Sequence, residues 1–250
     1  MIKNNIINIP KIIGHRGVKD LAPENTLNSI EKAINLDLSF VEIDVKISND
    51  NIPFLLHDDD LDRTTTGKGL ASYYNYSEIN KLDAGFHFYK KKTNIYPPTL
   101  KEVLFLCNNN NCGINIELKP NKGFEKKNVE AIINILKKFH SKIPIFFSSF
   151  DIQSCILIKE SVPDYLCGYL VDNLDTNNFE DILNLIKKFN LFSCGLNTKI
   201  INYELVNILK KNNIFITAYS QKNIKYKEAF DLWNLGIDSI FSDDPRSLKF

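Results

Sequence analysis

Residues 11–47 read KIIGHRGVKDLAPENTLNSIEKAINLDLSFVEIDVKI. A short apolar run, Lys11–Gly14, stops on His15 and Arg16. A helix is expected over Asn25–Asn35, opened by Pro23 and Glu24, which suit a first turn. A second apolar run, Phe40–Ile47, follows. Strand, helix, strand in this order predicts a parallel sheet. The alternation continues to the C-terminus, with strands expected at Ile114–Leu118, Ile145–Ser148, Leu166–Val171, Cys194–Asn197, Ile214–Tyr219 and Ser239–Ser242. Helices are expected at Phe124–Phe139, Asp151–Lys159, Phe179–Phe189, Tyr203–Lys210 and Tyr226–Trp233, where apolar residues recur at helical spacing. Eight strands in 250 residues predict a closed (β/α)8 TIM barrel, with residues 1–250 forming one catalytic domain. An open flavodoxin-like sheet rarely uses eight.

One segment breaks the alternation. After Phe40–Ile47 and the turn Asn49-Asp50-Asn51, a second extended run covers Ile52–His57. The connection is too short for a crossover helix, so the pair is a β-hairpin after strand 2. Its second arm returns His57 to roughly the height of Glu42 and Asp44. Residues 58–98 then hold no barrel strand and form a small insertion over the active-site face.

The chain carries 31 Lys and Arg against 30 Asp and Glu, a net charge of +1. So even a balance gives no global field for nucleic acid or an anionic membrane. The five cysteines form neither a CxxC pair nor an even set, so reduced thiols and a cytoplasmic location are expected. No apolar run suits an export signal or stable membrane insertion.

Polar residues gather at the carboxyl ends of the strands, the rim where barrel enzymes keep their chemistry. Glu42 and Asp44 alternate with Val41, Ile43 and Val45, so both carboxylates share the inner face. Glu117 and Lys119 share a face in the same way. Three inward carboxylates repel unless a cation sits among them, and an all-oxygen set suits Mg2+ or Ca2+ rather than zinc. His15 and His57, brought to that cluster by separate strands, suit a general acid and a general base. Arg16 and Lys119 add fixed positive charge, which fits an anionic substrate such as a phosphate. His140 at a helix end, His87 in the insertion and Trp233 on a helix have structural explanations. Ser148-Ser149 lacks a nucleophile elbow, and TTTGKG lacks the spacing of a P-loop.

With these residues in place, the sequence resembles the glycerophosphodiester phosphodiesterase family, bacterial cytoplasmic type. The resemblance rests on GHRG followed by APENTLNSI, then VEIDVKIS, PFLLHDDDLDRTTTGKG, NIELKP, SSF, LNTKII and GIDSIFSDDP, in that order across nearly the whole chain. It implies a TIM barrel that hydrolyses glycerophosphodiesters to sn-glycerol 3-phosphate and an alcohol. It implies Glu42, Asp44 and Glu117 as metal ligands, His15 and His57 as the acid/base pair, and Arg16 and Lys119 on the phosphate. ITAYSQ departs from the family's aromatic-Thr-Val-Asn stretch. It puts Thr217 at the aromatic position and Ser220 at the asparagine, with Tyr219 expected to point the other way from Thr217. Two alternatives remain. One is a phospholipase acting on lysophospholipids, which needs an apolar entry surface such as SYYNY with FHFYKKK. The other is a non-catalytic head-group binding barrel, which predicts a missing ligand or histidine.

Overall fold

The structure, a computed structural model, describes residues 8–174 and 179–248. The reading of the first seven residues falls outside that range. The strands are β1 (Ile12–Gly14), β2 (Phe40–Ile47), β3 (Pro53–Leu55), β4 (Gly113–Leu118), β5 (Ile145–Ser149), β6 (Leu166–Val171), β7 (Ser193–Asn197), β8 (Phe215–Tyr219) and β9 (Ser239–Ser242). The helices are α1 (Leu27–Ile34), α2 (Tyr76–Ile79), α3 (Phe86–Tyr89), α4 (Leu100–Asn109), α5 (Glu125–Lys138), α6 (Ile152–Ser161), α7 (Phe179–Lys188), α8 (Tyr203–Lys211) and α9 (Tyr226–Leu235). The sheet runs β1-β9-β8-β7-β6-β5-β4-β2 and closes through a β1–β2 pairing, which gives the eight-stranded parallel barrel expected.

Closure is thin at one seam. β1 pairs with β2 only at Gly14 and Val41. Above that point the free edge of β2 is taken by β3, antiparallel, with Val45 opposite Leu55 and Ile47 opposite Pro53. The hairpin therefore fills the gap that the short β1 leaves. A hydrogen bond from the Leu56 N–H to Asp44 O continues the pairing, so His57 does return to the level of Glu42 and Asp44.

Alternation sorts the strand residues into two cores. Val41, Ile43, Val45, Ile114, Ile116, Phe147, Leu196 and Ile216 face outward and pack under the helices. Ile13, Phe40, Phe146 and Phe241 face inward and plug the bottom of the barrel. Gly113 makes room there, because a Cβ on it would sit 2.2 Å from the Phe40 ring. Above the plug the inner face turns polar, with Glu42, Asn115, Ser148 and Thr217 buried. A buried polar layer survives only where its groups are paired. The Asn115 amide donates to Ser148 Oγ at 2.9 Å, for example.

The helices follow their caps. Thr26, rather than Asn25, caps α1 by accepting from Ser29 N, so the helix starts later than the apolar pattern suggests. α4 was not anticipated. Its signature is a capping box in which Thr99 Oγ1 accepts from Glu102 N and Glu102 Oε2 accepts from Thr99 N. The insertion has a satellite core of Phe54, Leu56, Leu61, Ala71 and Ile79, so β3 feeds Phe54 into the insertion while Leu55 packs in the main core. All five cysteines are free and buried. No helix among the described residues is long and apolar enough to cross a membrane.

Truncating the plug tests this assignment of faces. Phe146→Ala should lower unfolding free energy by about 3–5 kcal/mol, the usual cost of emptying a buried phenylalanine site. A urea titration showing less than about 1 kcal/mol would mean that the barrel floor is not packed as described.

Candidate active site

Register sets the carboxylates. β2 and β4 are parallel neighbours with Asp44 opposite Glu117 and Glu42 opposite Asn115. Adjacent strands lie about 4.8 Å apart, so inner-face residues at one level must meet. One ligand oxygen each from Glu42, Asp44 and Glu117 lies within 4.8 Å of the others, and all three residues are buried. Glu42 Oε1, Asp44 Oδ1 and Glu117 Oε1 have no hydrogen-bond partner, although Lys119 Nζ makes an ion pair with the last at 2.7 Å. Three converging buried carboxylates, two of them with an oxygen that no donor reaches, form a set that fits a hard divalent cation.

Their charges are handled unequally. Burial pushes Glu42 well above the usual carboxylate range, and Asp44 and Glu117 push it further. Burial also lifts Glu117, to about 7, against the pull of Lys119. Asp44 is held low, because Arg16, Lys119 and His57 outweigh its burial. Asn25 clamps it as well, donating from Nδ2 to Asp44 Oδ2 at 2.8 Å and accepting from Asp44 N at 3.0 Å. Asn25 reaches this position with a left-handed backbone, φ 55°. Asparagine tolerates that conformation better than most residues do.

The histidines stand on either side of the seam. His15 follows β1, its N–H bonded to Ser242 O at 2.9 Å. Its Nδ1 lies 2.6 Å from Asp243 Oδ1, and its Nε2 lies 4.0 Å from Glu42 Oε2. A carboxylate only accepts, so Nδ1 carries the proton and Nε2 faces the cavity with its lone pair free. Burial lowers the His15 pKa, partly offset by Asp243. His57, at the end of the hairpin, repeats the pattern with Nδ1 2.7 Å from Asp58 Oδ1. Its pKa is also lowered, by burial first.

Arg16 adopts φ 50° in the turn between His15 and Gly17. Its N–H donates to Glu42 Oε2 at 2.8 Å, which offsets that strain and fixes Glu42. Its guanidinium reaches Asp44 Oδ2 at 3.2 Å and Glu24 Oε1 at 2.7 Å. Lys119 lies 4.9 Å over the Phe150 ring, with Asp44 Oδ1 at 3.9 Å.

His15, Arg16, Glu42, His57, Glu117 and Lys119 line one cavity of about 390 Å3, and Asp44 lies buried beneath it. Phe150, Asp172, Tyr219 and Ser220 form part of the facing wall. Tyr219 points into the cavity on the same face as Thr217, contrary to the expectation, because residues two apart on a strand share a face. The aromatic side chain thus sits one pleat higher than position 217. Its hydroxyl lies 3.0 Å from Val171 O and 3.1 Å from Asp172 Oδ1, two acceptors that share its one proton.

Sequence reasoning gave no role in the site to Asn25, Asp58, Glu24 and Arg63, and counted Asp243 only as a polar residue at the end of the last strand, although each lies inside a stretch that carried the resemblance. HD, SDDP and PEN placed an acid or amide beside a strand end, and that was the available signal. His87, by contrast, is structural, with Nε2 2.9 Å from Thr65 O.

Fold and site place the chain among α/β barrels with an acid-rich, histidine-flanked mouth. Its residues 15–247 match the sequence profile of the glycerophosphoryl diester phosphodiesterase family, and the chain belongs to that family. It is 34% identical over 163 residues to the glycerophosphodiester phosphodiesterase of Caldanaerobacter subterraneus subsp. tengcongensis, covering 64% of this chain and 65% of that one. It is 35% identical over 158 residues to the Bacillus altitudinis glycerophosphodiester phosphodiesterase, covering 61% and 63%. These matches span just under two thirds of either relative. A phosphodiesterase from Oleispira antarctica, solved in complex with the product sn-glycerol-3-phosphate, aligns with a TM-score of 0.89 at 31% identity, over 96% of this chain and 95% of that one.

Two measurements follow from this geometry. Mg2+ or Ca2+ should raise the melting temperature of the protein, and Glu42→Gln should abolish that rise while costing the metal-free protein little, since it removes a repelled charge. An unchanged metal response in Glu42→Gln would reject the cluster as the cation site. Glu24, nearly buried between Arg63 and Arg16, is held down to about 2 from 4.5, the two guanidinium groups outweighing burial. Its contribution to stability is therefore complete above pH 4.5 and lost as pH falls toward 2. Glu24→Gln should flatten that acid limb in urea midpoints recorded against pH, and an unaltered slope would contradict the assignment.

Proposed function

We propose that the chain is a glycerophosphodiester phosphodiesterase, hydrolysing its substrate to sn-glycerol 3-phosphate and the head-group alcohol. One observation carries the reading: three buried carboxylates converge at a cavity flanked by two carboxylate-backed histidines. Family membership and the product held by the Oleispira antarctica neighbour support it. Residues 1–250 act as a single catalytic domain on a small-molecule phosphodiester. The five free thiols support a reducing, cytoplasmic setting.

Glu42, Asp44 and Glu117 would hold Mg2+ or Ca2+, which when bound neutralises phosphate charge and acidifies a neighbouring hydroxyl. Arg16 and Lys119 hold the phosphate oxygens and stabilise the charge that builds on them in the transition state. One histidine takes the proton from the glycerol hydroxyl as its oxygen attacks phosphorus. The other, which enters the step protonated on both ring nitrogens, gives its Nε2 proton to the leaving alcohol as the P–O bond breaks. Water then opens the cyclic phosphate with the two roles reversed: the spent acid takes a proton from water, the other histidine returns its proton to the glycerol oxygen, and both rings regain their starting protonation. Nε2 of each ring is the atom that exchanges protons, while Asp243 and Asp58 hold each Nδ1.

Protein supplied with Mg2+ or Ca2+ should release sn-glycerol 3-phosphate from glycerophosphocholine or glycerophosphoethanolamine, and chelation should stop it. His15→Ala and His57→Ala should each lose roughly 100- to 10,000-fold in kcat, the range for removal of a general acid or base. Full turnover by either variant would reject the acid/base pair. Faster turnover of lysophospholipids than of the deacylated diesters would favour the phospholipase reading instead.

A further inference from the structure

Arg63 belongs to the insertion, yet it touches two of the groups that set the site. Nε and Nη2 donate to Asp58 Oδ2 and Oδ1 at 2.6 and 2.9 Å. Nη1 and Nη2 donate to Glu24 Oε2 and Oε1 at 2.8 Å each. Both contacts are two-pronged, the geometry a planar guanidinium makes and an ammonium cannot. One oxygen of each acid, Asp58 Oδ1 and Glu24 Oε1, is shared with a second donor. Asp58 accepts from His57 Nδ1, and Glu24 accepts from Arg16 Nη1 at 2.7 Å.

The two histidines differ in how their acids are secured. The Asp243 side chain is 3% exposed, and its amide N–H is fixed by Asn223 Oδ1 at 3.0 Å. Asp58 is 26% exposed, at the end of a hairpin. Without a clamp, an exposed aspartate turns to water and lets its imidazole rotate or change tautomer. Arg63 is the group that holds it.

We propose that Arg63 is a positioning residue for the reaction. It locks Asp58 so that His57 keeps its proton on Nδ1 and its free Nε2 in the cavity, and through Glu24 it fixes the Arg16 guanidinium. The insertion is thereby a working part of the site rather than a cover. The kinetic half of this inference rests on the phosphodiesterase reading; the tautomer half does not.

The test uses full-length protein with Mg2+ and glycerophosphocholine. Arg63→Met should lower kcat on the order of 100-fold with KM changed far less, since misplaced groups cost that much. Arg63→Lys should recover little, and added guanidinium ion at millimolar concentration should partly restore Arg63→Met. Only four histidines are present, so 15N-histidine spectra resolve each ring. His57 should be the Nδ1–H tautomer in wild type and gain the Nε2–H form in Arg63→Met, with His15 unchanged. The proposal is overturned if Arg63→Met keeps kcat within about twofold, if guanidinium restores nothing, or if the His57 signals do not move. If wild type turns over no glycerophosphodiester, the functional reading fails and the His57 spectra alone decide the role of Arg63.

Discussion

Mutual repulsion among Glu42, Asp44 and Glu117 is the constraint from which the rest of the mouth follows. Two unit charges 4 Å apart repel by about 4 kcal/mol at an effective dielectric of about 20, and burial adds a desolvation cost to each. The parallel register of β2 and β4 leaves these residues no other place, because Asp44 and Glu117 are partners across the ladder. The surrounding residues are arranged to make that tolerable. Asn25 and Arg16 hold Asp44, the Arg16 amide and the short turn hold Glu42, and Lys119 holds Glu117.

The seam between β1 and β2 explains why the histidines stand where they do. β1 leaves the barrel one residue after its only pairing with β2, which frees His15 to turn into the mouth. The edge it abandons is then used by β3, which delivers His57 from the opposite direction. A longer β1 would close the barrel more fully and leave β3 no edge to pair with. The weak point of the sheet and the two imidazoles are therefore the same feature seen at two scales, and the β3 hairpin restores the hydrogen bonds that β1 gives up.

The alternation of apolar runs and amphipathic stretches made the barrel legible, since period and spacing are properties of the chain alone. Glu42, Asp44 and Glu117 were legible for the same reason: a period of two assigns a face without knowledge of the neighbours. Asn25 was not, because it sits inside an apparent helical pattern and leaves it only when Thr26 takes the cap. Asp243 and Arg63 were not, because their roles depend on contacts across 228 residues and through Glu24 and Asp58. Tyr219 was misread by a slip of the same period rule that succeeded for Glu42 and Asp44. The α4 helix was missed although Thr99 and Glu102 carry a local capping signal, so that omission was not a limit of the sequence.

Charge balance connects the acidic cluster to the phosphodiester proposed as substrate. At the centre of the mouth three carboxylates face two fixed cations, Arg16 and Lys119, which leaves one uncompensated negative charge when all are ionised. Burial and the neighbouring carboxylates push Glu42 up, and burial with Asp44 pushes Glu117 up, both away from that state. A divalent ion reverses the excess to a single positive charge, and a phosphodiester carries a single negative one. A phosphomonoester carries nearly two charges at neutral pH and would leave the buried mouth out of balance again. The histidines are poised between two charge states in the same way: burial lowers both His15 and His57, while Asp243 and Asp58 each favour the charged ring they contact.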